Sequence, residues 1–85
     1  MATAEGTTTA ALREGAHGRP VVRVQLALVH EGYGAWLGPA GADGEFGPRT
    51  AWAVRAFQRD RGTAVDGLVG PVTLARLGLG LDLDR

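Results

Sequence analysis

Cysteine and lysine are both absent from this chain of 85 residues. Without cysteine, no disulfide framework can stabilise the fold, although such frameworks are common in domains of this size. Stabilisation must therefore come from aliphatic packing or from a partner. The length suits one small domain.

An excess of positive charge is also missing, because nine arginines balance nine acidic residues to a formal net charge of zero. A nucleic-acid-binding domain of this size is normally basic, so DNA binding by a helix-turn-helix is disfavoured and no nucleic-acid partner is expected. The arginines do cluster locally, and the cluster is either a binding patch or an ordinary solvated helix face. It contains Arg49, Arg55, Arg59 and Arg61, with Asp60 as the one acidic residue among them.

No long hydrophobic run occurs, so no membrane-spanning segment and no membrane partner are expected. The first ten residues, MATAEGTTTA, have neither the basic start nor the apolar run of a secretory signal. Production in the cytosol, a non-classical export route and an excised domain all stay open.

Three segments are expected along the chain. Residues 1–11 read as a disordered leader, residues 12–78 as the folded domain and residues 79–85 as a C-terminal tail. A first helix is predicted from Pro20 to Glu31, with apolar residues on more than one stripe, which indicates a position between other helices or under a partner. A long glycine-rich loop follows it.

The most informative feature is a repeat, since DGEFGPRT at 43–50 returns as DGLVGPVT at 66–73. In each copy Asp-Gly predicts a tight turn, and Gly-Pro predicts the cap and first residue of a helix. The second helix is thus predicted from Pro48 to about Arg61 and the third from Pro71 to about Leu77. The predicted structural motif comprises Asp43, Gly44, Gly47, Pro48, Thr50, Asp66, Gly67, Gly70, Pro71 and Thr73.

The repeat extends beyond the turns, because Val-Gln and Phe-Gln precede the two copies at 24–25 and 57–58. Buried amides need partners, so Gln25 and Gln58 are expected to bond loop backbone. The predicted fold is all-α: a compact three-helix bundle with a pseudo-twofold internal repeat and a long loop between helices 1 and 2. On the second helix Trp52, Arg55, Ala56 and Arg59 should point outward, and Val65 in the next connection should be buried.

Catalysis finds no support in the sequence, because no Ser/His/Asp or Cys/His set can be assembled. His17 and His30 lack the further ligands that a metal site needs and are expected on the surface. We therefore expect no catalytic residues, no metal and no cofactor.

Binding residues are easier to nominate. Trp52 should offer a flat apolar face to a sugar ring, and Arg49 and Arg55 could each donate paired hydrogen bonds to a carboxylate. Trp36 and Tyr33 in the loop could line the same groove. The alternative is structural: Trp36 folds down to cap the small core, Trp52 packs under the leader, and Tyr33 sits at the core edge.

Taken together, these residues resemble the helical, type-one peptidoglycan-binding domain family of bacterial and phage cell-wall hydrolases. The resemblance spans residues 12–77 and rests on LREG at 12–15, Gly18, Val21, VQ at 24–25, Leu28, GY at 32–33, AV at 53–54, FQ at 57–58, Gly62, Leu77 and both repeat copies.

The resemblance implies a non-catalytic module that binds peptidoglycan, through either the glycan strand or the stem peptide, in the cell wall or outside the cell. The predicted ligand-binding residues are Tyr33, Trp36, Arg49, Trp52 and Arg55. A hydrolase acting in trans is a further possible partner. The alternative function is a protein-protein docking module within a phage-like or secretion assembly.

Overall fold

A computed structural model describes residues 11–80 of the chain as a bundle of helices. The helices are α1 (Arg19–His30), α2 (Gly34–Leu37), α3 (Pro48–Arg61) and α4 (Pro71–Arg76). Within the described range there is no strand, only two isolated bridges. The all-α prediction is confirmed, and the three predicted helices are α1, α3 and α4. The short α2 was not predicted, because a four-residue helix in a glycine-rich loop leaves no periodic pattern.

Helix α1 begins after Gly18, whose φ of 106° turns the chain, and Pro20 occupies its first turn. Its inward stripe is formed by Val21, Val24 and Leu28, which are fully buried. The second apolar stripe is not covered by another helix within the described residues, since Leu26 and Val29 are 56% and 46% exposed, so of the two expected positions only the one under a partner stays open. This helix is covered on one side only by the residues the structure describes.

Helix α3 is the central element, with most of its length buried, and it contributes Phe57, Val54 and Ala53 to the core. Two expectations about its surroundings were wrong. Ala56 faces inward rather than outward and is 5% exposed, because its small side chain allows close packing. Val65 is 52% exposed instead of buried.

The first turn of the repeat is organised by the buried Gln25 of α1. Its Nε2 donates to Asp43 Oδ1 (3.2 Å), Thr50 Oγ1 (3.0 Å) and the Glu45 carbonyl (3.1 Å). Its Oε1 accepts from the Gly44 N–H at 2.8 Å. Asp43 Oδ1 also accepts from the Glu45 N–H at 3.0 Å, the tight turn that the Asp-Gly pair predicts.

The second turn repeats this network around Gln58 of α3. Gln58 Nε2 donates to Asp66 Oδ1, the Leu68 carbonyl and Thr73 Oγ1 at 2.9–3.0 Å, and its Oε1 accepts from the N–H groups of Asp66 and Gly67. The predicted role of both glutamines is therefore confirmed. The glutamine-to-threonine bond was not anticipated, and it makes each repeat a closed polar cluster inside the core.

The segment before α1 joins the two turns. Leu12 exchanges backbone hydrogen bonds with Val69 of the second turn, at 3.1 and 2.9 Å. A few residues later, Phe46 of the first turn donates to the Ala16 carbonyl at 3.0 Å and accepts from the Gly15 N–H at 2.9 Å. The predicted leader and tail fall mainly on residues 1–10 and 81–85, outside the described residues, so the domain bounds of 12–78 stay a prediction.

Gly44→Ala should lower the free energy of unfolding by about 1–3 kcal/mol. Gly44 has a φ of 81°, and an added Cβ would lie 3.1 Å from Val22 Cγ2. Gly47→Ala is the matched control, because Gly47 has a φ of −100° and open space where its Cβ would be. Urea unfolding followed by circular dichroism measures both. Equal losses in the two variants would contradict the turn geometry.

Stability should fall in acid because of the turn carboxylates. The Glu45 N–H and the Gln25 amide lower the pKa of Asp43, and the Leu68 N–H together with Gln58 and Arg55 lowers that of Asp66. A lowered folded-state pKa means that the carboxylates contribute stability above about pH 4 and lose it as the pH falls through the folded-state values.

The Asp43→Asn/Asp66→Asn variant keeps an oxygen acceptor at each turn but removes both titrations. Its unfolding free energy should therefore vary less between about pH 4 and pH 2.5 than that of the wild type. Urea titrations at stepped pH test this. Parallel pH profiles for the two proteins would show that the turn carboxylates do not produce the dependence.

Candidate functional site

The two repeats differ in the length of the connection between glutamine and aspartate. Gln25 and Asp43 are 18 residues apart, whereas Gln58 and Asp66 are 8 apart, so the first copy holds 18 − 8 = 10 additional residues. The connection of the first copy contains α2, which Leu37 anchors in the core with 3% exposure. The added length thus builds a structural element that the second copy lacks.

Helix α2 brings Trp36 next to Trp52 of α3. The side chains are 43% and 57% exposed. We call this pair the tryptophan ridge. On one side Trp36, Trp52 and Arg49 line a hollow of about 400 Å³, and on the other side the same two tryptophans line a hollow of about 140 Å³ with Arg55, Ala56, Arg59 and Val65. Four of the five predicted ligand-binding residues therefore lie together.

The side chains of the two predicted arginines, Arg49 and Arg55, each pack against a glycine. Arg49 packs so close to Gly38 that a Cβ added to this glycine would lie 2.8 Å from Arg49 Cδ and 2.9 Å from Arg49 Nη1. A Cβ on Gly67 would lie 3.1 Å from Arg55 Nε. The Arg55 guanidinium also lies over the Trp52 ring, 5.2 Å from its centroid, which is a cation–π distance. Both charged groups thus have packed, defined positions beside the ridge.

Tyr33 is not brought to the ridge. Its ring packs edge-on against Phe57, with centroids 5.6 Å apart, and its hydroxyl donates to Asp60 Oδ2 at 2.5 Å. This bond raises the pKa of Tyr33 and lowers that of Asp60. The structure therefore gives Tyr33 the core-edge position, which was the alternative expectation.

Other surface features are less suited to a ligand. A hollow of about 500 Å³ lies at the second turn, with Val72, Thr63 and Arg76 among its lining residues, but it has no aromatic side chain. His17 and His30 are exposed, and no group of three potential metal ligands occurs within residues 11–80. Over the same range, every helix is too short or too polar to cross a bilayer.

Part of this geometry could not be found from sequence. The support of Arg49 by Gly38 depends on α2, and the position of Val65 beside Trp52 depends on how the connection after α3 folds back. The sequence does contain one indication of this geometry. The first connection is ten residues longer than the second, which marks it as the place of an additional structural element.

Comparison with known proteins identifies the family. The model of the peptidoglycan binding domain family matches residues 17–77. The chain belongs to this family.

Solved structures and curated relatives are consistent with this family assignment. The crystal structure of the SleB N-terminal domain superposes with a TM-score of 0.74 at 36% identity, covering 82% of this chain and 90% of that one. The zinc D-Ala-D-Ala carboxypeptidase of Streptomyces albus G is 39% identical over 72 residues, and the Type VI secretion system spike protein VgrG3 of Vibrio cholerae is 40% identical over 78 residues.

These curated relatives are much longer than the matched region. The alignment covers 84% of this chain but 27% of the carboxypeptidase, and 79% of this chain but 8% of the spike protein. The chain thus corresponds to the binding domain of such proteins and not to their remaining parts.

Proposed function

We propose that this chain binds bacterial peptidoglycan without catalysing its cleavage and acts as a wall-targeting module, with the tryptophan ridge and its two hollows as the binding site. The observation that carries this proposal is the convergence of Trp36, Trp52, Arg49 and Arg55 on one exposed surface. An indole face packs against the apolar face of a sugar ring, and a guanidinium donates paired hydrogen bonds to a carboxylate.

Membership of the peptidoglycan binding domain family supports the same ligand class. The name of the Streptomyces relative, a D-Ala-D-Ala carboxypeptidase, places that protein's chemistry on the wall peptide. The proposal places this chain in the cell-wall environment, and a hydrolase in trans is a compatible partner. The proposal does not include Tyr33 in the ridge site, because its hydroxyl bonds Asp60 and its ring packs on Phe57.

Co-sedimentation with insoluble sacculi tests the proposal. The purified protein should pellet with sacculi, and a measurable share should stay bound as salt is raised from about 0.05 to 0.3 M, because packing on the ridge is not screened even though the arginine contacts are weakened. Recovery of the protein in the supernatant at every salt concentration would contradict peptidoglycan binding.

A second candidate, protein docking, is favoured by one specific observation. Leu26 and Val29 are exposed on α1, and exposed apolar patches mark association surfaces. The similarity to a secretion spike protein fits a docking module in an assembly of that kind. Leu26→Glu separates the two candidates, because it should leave sacculus binding unchanged if the ridge is the site.

A further inference from the structure

Two arginines beside the ridge carry positive charge without an acidic partner. Within residues 11–80 the ion pairs are Arg59 with Asp60 at 3.5 Å and Arg61 with Glu31 at 2.5 Å. Neither pair includes Arg49 or Arg55. In a chain of zero net charge, these two cations are thus left available at one surface.

One acidic group close enough to interact with Arg55 is Asp66, whose pKa is lowered in part by the positive charge of that arginine. The carboxylate is already engaged, because its Oδ1 accepts from the Leu68 N–H at 2.9 Å and from Gln58 Nε2 at 3.0 Å. It also makes no ion pair with Arg55 within 4.0 Å. Asp66 therefore belongs to the turn and leaves the Arg55 guanidinium free to meet a ligand.

The two arginine side chains also pack against the protein surface in the absence of a ligand. Arg49 packs on the backbone at Gly38, and Arg55 is held between the backbone at Gly67 and the Trp52 ring. Ordering a long side chain normally costs conformational entropy on binding, and much of that cost is already met here. A fixed, unpaired guanidinium is suited to planar, paired recognition of a carboxylate.

We propose that the ridge recognises the carboxylate-bearing stem peptide of peptidoglycan, and that the glycan strand alone is insufficient. This inference rests on the proposed function. In an intact sacculus, the lactyl group of each substituted muramic acid is amide-bonded to a stem peptide, so the N-acetylated sugars there carry no charge and give the two arginines no ionic partner. The free carboxylates of the stem peptide do, while the tryptophans pack against the adjoining apolar groups.

Chemical blocking of carboxylates tests the inference. Sacculi are first stripped of phosphate-bearing polymers with hydrofluoric acid, so that stem peptides supply the remaining anionic groups. Half of the preparation is then amidated with carbodiimide and methylamine. The apparent Kd of the wild-type protein should rise at least about tenfold on the amidated sacculi, and peptide-free glycan strands whose lactyl carboxylates have been amidated in the same way should not compete.

A matched pair of variants separates recognition from general charge attraction. Arg49→Gln/Arg55→Gln and Arg13→Gln/Arg76→Gln each remove two positive charges, the second pair from exposed positions outside the ridge hollows. The first variant should lose at least about tenfold in affinity for untreated sacculi and become insensitive to amidation, whereas the second should change by less than about twofold. Circular dichroism establishes that both are folded.

Three outcomes are distinguishable. Wild-type binding that is unaffected by amidation, or that amidated glycan strands compete away, overturns the inference and leaves peptidoglycan binding intact. Equal losses in the two double variants overturn it as well, since only net charge would then matter. Failure of the wild type to bind untreated or stripped sacculi overturns the proposed function itself.

Discussion

The Gln58→Leu variant is expected to lose about 3–5 kcal/mol of unfolding free energy, a large share of the stability of a small domain. Gln58 is 1% exposed and makes five hydrogen bonds in the second turn. Leucine fills a similar volume but pairs with none of these groups. The N–H groups of Asp66 and Gly67 would lose their acceptor, and the Leu68 carbonyl would lose its donor.

Urea unfolding monitored at 222 nm measures this loss, and two further variants calibrate it. Gln25→Leu should cost a similar amount, because Gln25 holds the equivalent position in the first copy. Thr73→Val removes a single acceptor of the cluster and should cost about 1 kcal/mol. Wild-type stability in Gln58→Leu would mean that apolar packing fully compensates for the lost bonds, against the role given to the cluster.

Trp52→Ala should weaken binding to sacculi by about tenfold to a hundredfold while leaving the fold intact. Trp52 is 57% exposed, lines both ridge hollows and supports the Arg55 guanidinium. Its removal therefore takes away a packing face and the stack that positions one arginine. Because over half of the side chain is already in contact with solvent, the core loses little.

Val72→Ala is the control for this experiment, because Val72 is 59% exposed and lies at the second-turn hollow, away from the ridge. Its binding isotherm should overlay that of the wild type. Trp36→Ala should resemble Trp52→Ala, since the two indoles share both hollows. If Trp52→Ala instead lost its helical circular-dichroism signal, the residue would belong to the core and the ridge would not be the binding surface.

The sequence predicted the repeated elements well because their determinants are local. Gly47 and Pro48 start α3, and Gly70 and Pro71 start α4. The residues at these positions fix backbone angles wherever they stand, so no tertiary information was needed. The buried glutamines were likewise predictable, because an amide within an apolar stripe must find partners.

For the proposed site, the sequence predicted the residues and a shared groove, but not the structural element that brings them together. Trp36, Arg49, Trp52 and Arg55 were nominated by residue type, yet their juxtaposition depends on α2, whose four residues carry no periodicity. Tyr33 and Val65 are the two residues whose surroundings the sequence predicted least well. Tyr33 turns inward, where its hydroxyl donates a hydrogen bond to Asp60, 27 residues away, and Val65 faces the ridge because of how the chain leaves α3.

The ten-residue difference between the copies has a consequence for engineering. Both connections end in the same glutamine-centred turn despite their different lengths. The fold therefore accepts different numbers of residues between the glutamine and the aspartate. Grafting residues 33–42 into the second connection, together with Val72→Arg and Ala75→Trp at the positions that match Arg49 and Trp52, offers a route to a duplicated ridge on one scaffold. Such a two-site domain would gain avidity on a polymeric surface without any improvement in either site.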